Sequence, residues 1–333
     1  MKVFIIAEAG VNHNGDIRIA KKLCDAAKKA GVDAVKFQTW ITDNLVAKNA
    51  PLALYQEQNI TNKQDSQFEM LKKLELQFDE FLELKEYCKN IDLKFLSTPD
   101  DADSLDFLSK LELDFLKVGS GEVNNIPFLR RIGAKKQHVI LSTGMSYLRD
   151  VELAYYTLIE SGALSVKLLH CTSNYPCPME EVNLNAMITL KTAFKCEVGY
   201  SDHTLGIEVP IAAVALGATI IEKHFTLDKE MDGPDHKASL NPVELEEMVL
   251  AIRNIEVALG TGHKIPNKSE LETSKVVWKS IVASKTINLG DVFSESNLTL
   301  KRTGSGISAK YWDMVIGKKA NQVFVKDDLI VLN

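Results

Sequence analysis

The chain has 333 residues, of which 45% are hydrophobic and 25% charged, and carries a formal charge of −6 at neutral pH. This length accommodates one barrel of about 250 residues plus a small extra module, or two ordinary domains, and no biased tract suggests a fibrous or disordered chain. Neither sign of charge is gathered into long blocks, which argues against a nucleic-acid or anionic-membrane surface, so any anionic ligand must be held by a local pocket.

The start, Met1-Lys2-Val3-Phe4-Ile5-Ile6-Ala7-Glu8, is too short and too soon interrupted by an acid to read as a signal peptide. No later stretch approaches the roughly 18 apolar residues of a membrane span, so a cytoplasmic protein is expected. Five cysteines (Cys24, Cys88, Cys171, Cys177, Cys196) form no Cys-x-x-Cys pair. They read as buried or incidental thiols in a reducing compartment, without zinc-site spacing.

In chain order, short runs rich in Val, Ile, Leu and Phe predict strands at 3–9, 34–38, 94–98, 115–119, 139–143, 166–172, 197–201 and 219–225. Amphipathic stretches predict helices between and after them, among them 17–30, 101–110, 151–161, 207–216 and 242–259. Eight strand–helix units over residues 1–262 predict an α/β fold of the (β/α)8 or TIM-barrel type rather than an open doubly wound sheet. The segment 40–77 is longer than an ordinary barrel connection and reads as a lid or substrate loop. The polar, Gly- and Pro-containing stretch 263–278 reads as a linker. Residues 279–333 then show β-like runs at 280–284, 297–301 and 322–325, as expected of a small β-rich domain.

Nearly every predicted strand ends in polar residues: Glu8; Lys36 and Gln38; Ser97 and Thr98; Lys117, Ser120 and Glu122; Ser142 and Thr143; His170 and Ser173; Ser201 and His203; Glu222, Lys223 and His224. A buried polar group without a partner costs several kcal/mol, and barrel enzymes keep their active sites at this end, so the pattern marks a catalytic rim. Lys36, Lys117 and the neighbouring hydroxyls, with Gly119-Ser120-Gly121 and Thr143-Gly144, suit a small phosphorylated anion. His203 and His224, on adjacent strand tips, could share one divalent cation. His170 reads at least as well as a structural histidine. Glu8 and Glu122 could act as acid or base, bind sugar hydroxyls, or pair with the lysines.

Seven motifs in register carry a resemblance: Ile6-Ala7-Glu8-Ala9-Gly10-Val11-Asn12-His13-Asn14-Gly15, Val35-Lys36-Phe37-Gln38-Thr39, Ser97-Thr98-Pro99, Gly119-Ser120-Gly121-Glu122, Leu141-Ser142-Thr143-Gly144-Met145, Ser201-Asp202-His203-Thr204 and Glu222-Lys223-His224-Phe225. Together they resemble the N-acetylneuraminate synthases, including bacterial synthases of legionaminic and pseudaminic acids. The resemblance implies a barrel joined to an antifreeze-like (SAF) domain in a domain-swapped homodimer, with Arg302 reaching the active site of the other copy. It implies Mn2+ or Mg2+ on His203 and His224. Lys36, Thr98, Lys117, Ser120, Ser142 and Ser201 match positions that hold phosphoenolpyruvate, and Ser173 stands where some members place an Asn near its carboxylate. Glu8, Gln38, Glu122, Tyr175 and Asp235 match positions around an N-acylated amino sugar, with Glu122 and Glu8 the candidate catalytic groups.

The sequence also departs from that pattern, with Asp100 after Ser97-Thr98-Pro99 where members often have Phe, and Thr303 in place of a Pro. The stretches 65–74 and 231–237 look more like neuraminic and legionaminic synthases than the pseudaminic branch. The reading puts condensation of phosphoenolpyruvate with N-acetylmannosamine to N-acetylneuraminic acid first, and a legionaminic acid synthase using 2,4-diacetamido-2,4,6-trideoxymannose second. Behind these stand a metal-dependent aldolase, which would release no phosphate, and a non-catalytic sugar-binding module.

Overall fold

In the computed structural model, residues 2–60 and 66–332 are described, and they form two compact units, Met1–Gly260 and Thr261–Asn333. The first is built on eight strands: β1 (Phe4–Gly10), β2 (Ala34–Thr39), β3 (Lys94–Pro99), β4 (Leu116–Val118), β5 (His138–Ser142), β6 (Ser165–His170), β7 (Val198–Asp202) and β8 (Ile220–His224). They run parallel in the order β3-β2-β1-β8-β7-β6-β5-β4, and β4 packs beside β3, so the sheet curls into a nearly closed barrel. The predicted barrel is the observed fold; the third to fifth elements show why its strand limits shift by a residue or two, since a ladder ends where the neighbour's register ends.

The helices are α1 (Ile17–Ala30), α2 (Thr42–Leu45), α3 (Leu54–Asn59), α4 (Gln67–Leu74), α5 (Phe78–Asn90), α6 (Ala102–Leu108), α7 (Ile126–Ala134), α8 (Leu148–Glu160), α9 (Asn185–Phe194), α10 (Glu208–Ala215) and α11 (Pro242–Ala258). Local signals set their ends. Asp16 caps α1 by accepting from the Arg18 N–H, and Gly31 closes it at φ +81°, a left-handed conformation that favours glycine. Asn241 and Glu244 form a capping box at the start of α11.

Period two in the strands divides the interior in two. One set of side chains packs outward against the helices in the main core, while Ile6, Ala34, Leu96, Ile140, Leu169 and Ile220 point inward and plug the barrel. Polar residues replace the apolar plug only toward the C-terminal strand ends. The plug therefore forms the apolar base of the cavity above it.

The segment expected as a loop at 40–77 holds α2, α3 and α4 where it is described; residues 61–65, including Asp65 of the 65–74 stretch, lie outside the described residues. Val11, Trp40, Ile60, Met70 and Leu74 give it a core of its own against the first barrel loop. Gly15 (φ +72°) makes the close approach: a Cβ there would stand 2.3 Å from the Lys73 carbonyl oxygen.

The segment expected as a linker at 263–278 contains α12 (Lys268–Val277), because Asn267 and Glu270 form a capping box that starts a helix the Gly and Pro residues upstream do not reach. In the second unit β9 (Lys279–Ala283) pairs antiparallel with β10 (Leu298–Arg302), followed by the short α13 (Trp312–Val315). Its core includes Ile281, Phe293, Leu298, Val315 and Phe324. The run at 322–325 forms a single bridge, Phe324 to Ile287, rather than a strand, since the turn at Asp327 (φ +76°) cuts its ladder short.

Candidate active site

The strand tips enclose a cavity of about 370 Å³. At its floor Lys36 Nζ lies 2.8 Å from Glu8 Oε2, 3.8 Å from Glu222 Oε2 and 3.0 Å from Thr98 Oγ1, to which it donates. Lys117 Nζ donates to Ser142 Oγ at 2.8 Å and stands 3.4 Å from Glu222 Oε1, which also accepts from Ser201 Oγ at 2.9 Å. Glu8, Lys36, Lys117 and Glu222 are at most 4% exposed.

Burial of that depth disfavours an isolated charge, and the four groups offset it for one another. Burial works against the charge of Lys36, but Glu222 and Glu8 outweigh it and hold the ammonium above its ordinary range. Burial lowers Lys117, which Glu222 only partly restores. Burial likewise works against the carboxylate of Glu222, yet Lys117 and Lys36 pull it below the usual range, while Glu8 stays raised by burial despite Lys36. Glu222 sits between both lysines and was assigned no role from the sequence. Its signal was available: in β8 it shares the inward face with His224, two residues on.

A second group of donors lies across the cavity. Ser120 Oγ accepts from the Gly144 N–H at 2.9 Å and lies 3.2 Å from Cys171 Sγ. Gly144 leaves room for the hydroxyls, since a Cβ there would stand 2.3 Å from Ser173 Oγ and 3.0 Å from Ser120 Oγ. Two buried cations with Thr98, Ser120, Ser142, Ser173 and Ser201 along one wall form a cradle suited to a small polyanion.

The rings of His203 and His224 are 5.5 Å apart and both are 5% exposed. Burial lowers the pKa of each, so both are neutral imidazoles at physiological pH. His203 Nδ1 lies 2.6 Å from the Thr172 carbonyl oxygen, which can only accept; the proton is therefore on Nδ1 and Nε2 keeps its lone pair. His224 Nδ1 is buried without a hydrogen bond, at 3.5 Å from Asp235 Oδ2. Two neutral, partly unpartnered imidazoles fit a divalent ion of the Mn2+ class. Among the described residues no cluster of three or more His, Cys, Asp or Glu is placed to hold a metal.

Around the histidines stand the residues expected at the sugar. Gln38 Nε2 donates to Glu8 Oε1 at 2.9 Å. Tyr175 packs on His203 at 4.1 Å and on Tyr55 of α3 at 4.9 Å, so the 40–77 segment contributes to the pocket wall through Tyr55 and Ala53. Burial pushes Asp235 up to about 7. Its loop is tied down by Asn12, which donates to Phe225 O and Ser239 Oγ, and by Asn59, which donates to Pro234 O.

Two candidates stand apart. Glu122 lies just beyond the pocket wall, and its Oε2 accepts from Asn125 Nδ2 at 2.7 Å because the turn after β4 rotates it toward the start of α7. Arg302 is exposed at the end of β10 in the second unit. His170 donates its Nε2–H to the Val182 carbonyl oxygen at 2.8 Å, a structural contact.

A model of the NeuB family matches residues 23–264, and one of the SAF domain matches residues 279–333. The chain belongs to the NeuB family. Within this family it is an enzyme, similar to synthases along its whole length. It is 49% identical over 331 residues to the N,N'-diacetyllegionaminic acid synthase of Campylobacter jejuni, covering 99% of both chains. It is 46% identical to the synthase of the same name from Legionella pneumophila, covering 96% of this chain and 90% of the other. The crystal structure of N-acetylneuraminic acid (sialic acid) synthetase from Leptospira borgpetersenii, 37% identical, superposes with a TM-score of 0.71 over 82% of this chain and 90% of that one. NeuB-family membership and the SAF domain agree with the resemblance read from the motifs, whereas the order of the two substrates is reversed: the legionaminic reading has the stronger support.

Proposed function

We propose that the protein condenses phosphoenolpyruvate, 2,4-diacetamido-2,4,6-trideoxymannose and water to N,N'-diacetyllegionaminic acid and phosphate. The observation that carries this reading is the 49% identity to a synthase of that product over 99% of both chains. The second reading, N-acetylmannosamine to N-acetylneuraminic acid, draws on the 37% identity to the sialic acid synthetase structure.

The site chemistry supports either substrate. Lys36 and Lys117 hold the phosphate and carboxylate charge of phosphoenolpyruvate, with Thr98, Ser120, Ser142, Ser173 and Ser201 as hydrogen-bond partners. Held there, its C3 attacks the aldehyde carbon of the open-chain sugar; water adds at C2, and phosphate departs with cleavage of its C–O bond. A divalent metal on His203 and His224, when bound, acts as a Lewis acid toward the aldehyde oxygen. Glu8 and Gln38 orient the sugar, Tyr175 packs on it, and Asp235 accepts hydrogen bonds from its hydroxyls. Glu222 holds Lys36 charged in the buried floor and partly offsets the burial of Lys117. Glu122 remains our assignment for the proton near the reacting carbons, a role that requires it to exchange Asn125 for substrate. The homodimer, with Arg302 serving the other copy's site, belongs to the same proposal.

The test is phosphate release with Mn2+, phosphoenolpyruvate and each sugar in turn. Faster release with the diacetamido sugar is expected; release only with N-acetylmannosamine selects the second reading, and none with either sugar overturns both.

A further inference from the structure

Asp100 lines the same cavity, one residue beyond β3, with its N–H donated to the Thr39 carbonyl oxygen. Its carboxyl makes no hydrogen bond or ion pair among the described residues, although the charges of Lys36, Glu122, Glu8 and Lys117 act on it. Asp100 is half-buried at the wall of the cavity, so water serves its oxygens in the empty site and a donor from the ligand can take the place of that water. Burial, with Glu122 and Glu8 adding to it, pushes its pKa up to about 7, against the pull of Lys36. A ligand donor would restore the charged form.

The position identifies which ligand. The strands β8, β1, β2 and β3 are neighbours in that order, and their tips carry His224, Glu8, Gln38 and then Asp100. With the aldehyde carbon at the histidines, an open-chain sugar running past Glu8 and Gln38 brings its carbons beyond C3 to Asp100. The two candidate sugars differ here, since one has a C4 hydroxyl and the other a C4 acetamido group with an N–H donor and an acetyl methyl.

We propose that Asp100 is a specificity-determining residue whose carboxylate accepts the N–H of the sugar's C4 acetamido group. This rests on the diacetamido-sugar reading above. The experiment is steady-state phosphate release by wild type, Asp100→Ala and Asp100→Asn with Mn2+, each sugar and phosphoenolpyruvate. In Asp100→Ala the KM for the diacetamido sugar rises at least about tenfold, as expected for losing a hydrogen bond to a charged group. Its kcat and the KM for phosphoenolpyruvate stay within about threefold, and so does the KM for N-acetylmannosamine. Asp100→Asn, which keeps one acceptor oxygen, falls between Ala and wild type. Equal losses on both sugars, a rise confined to phosphoenolpyruvate, or flat kinetics in a wild type that uses the diacetamido sugar overturns the Asp100 assignment alone. A wild type that releases no phosphate from the diacetamido sugar overturns the functional reading and this assignment together.

Discussion

The two ends of the barrel use charge in opposite ways. At the N-terminal end Asp33 accepts from Lys2, from the Ile5 N–H and from Arg253, and Arg253 also donates to the Val3 carbonyl oxygen and to Glu256. Burial works against the Asp33 carboxylate, but these partners outweigh it and hold its pKa low. At the C-terminal end Glu222 Oε2 and His224 Nδ1 are buried without a hydrogen bond, and Glu8, Asp100 and Asp235 are pushed up. One end commits its charges to joining β1, β2 and α11. The other pairs its lysines with Glu8 and Glu222 but leaves Glu222 Oε2 and His224 Nδ1 for a ligand to complete, which distinguishes a site from a strut.

Four measurements would break or sharpen that contrast. The largest effect is expected from His224→Ala, which should lower metal-dependent turnover at least about a thousandfold while the unfolding transition stays near that of wild type. A matching collapse of the fold would make the histidine structural. Next, Lys117→Met should lower kcat/KM for phosphoenolpyruvate at least about a hundredfold with little change in stability, because the ammonium it removes is already disfavoured by burial. Loss of several kcal/mol in a urea titration would place Lys117 with the struts instead.

At the other end the outcome reverses. Asp33→Asn should cost about 1–3 kcal/mol in urea unfolding and leave kcat/KM within about twofold. The smallest effect concerns pH. Burial holds His13 and His236 neutral, each with a pKa of about 4 against an ordinary 6.5. The native state then binds fewer protons than the unfolded one, so the contribution of these imidazoles is present above pH 6.5 and is lost as pH falls toward 4. His236→Gln, which cannot titrate, should flatten that acid limb in a melting-temperature series; an unchanged slope would remove His236 from the account.

Much of this was legible in the chain. Apolar runs of strand length placed β1, β2 and β3 within a residue or two, and polar endings on those runs marked the rim before any contact was known. Other features were not legible. The helices in 40–77 rest on Trp40, Met70 and Leu74 finding the loop after β1, a contact that no local period announces. Glu122 looked like a tip residue, but a short turn aims it at Asn125.

What the sequence by itself determined is which residues alternate inward and where each strand runs out of apolar side chains, because those follow from a backbone period that each segment carries alone. Which charges meet was decided only by closing the barrel. Lys36 of β2 reaches Glu222 of β8, and Lys117 of β4 reaches the same carboxylate, across strands distant in the chain. The same closure leaves Asp100 facing the cavity without a partner, since its burial and its neighbours come from strands that no local pattern links to it.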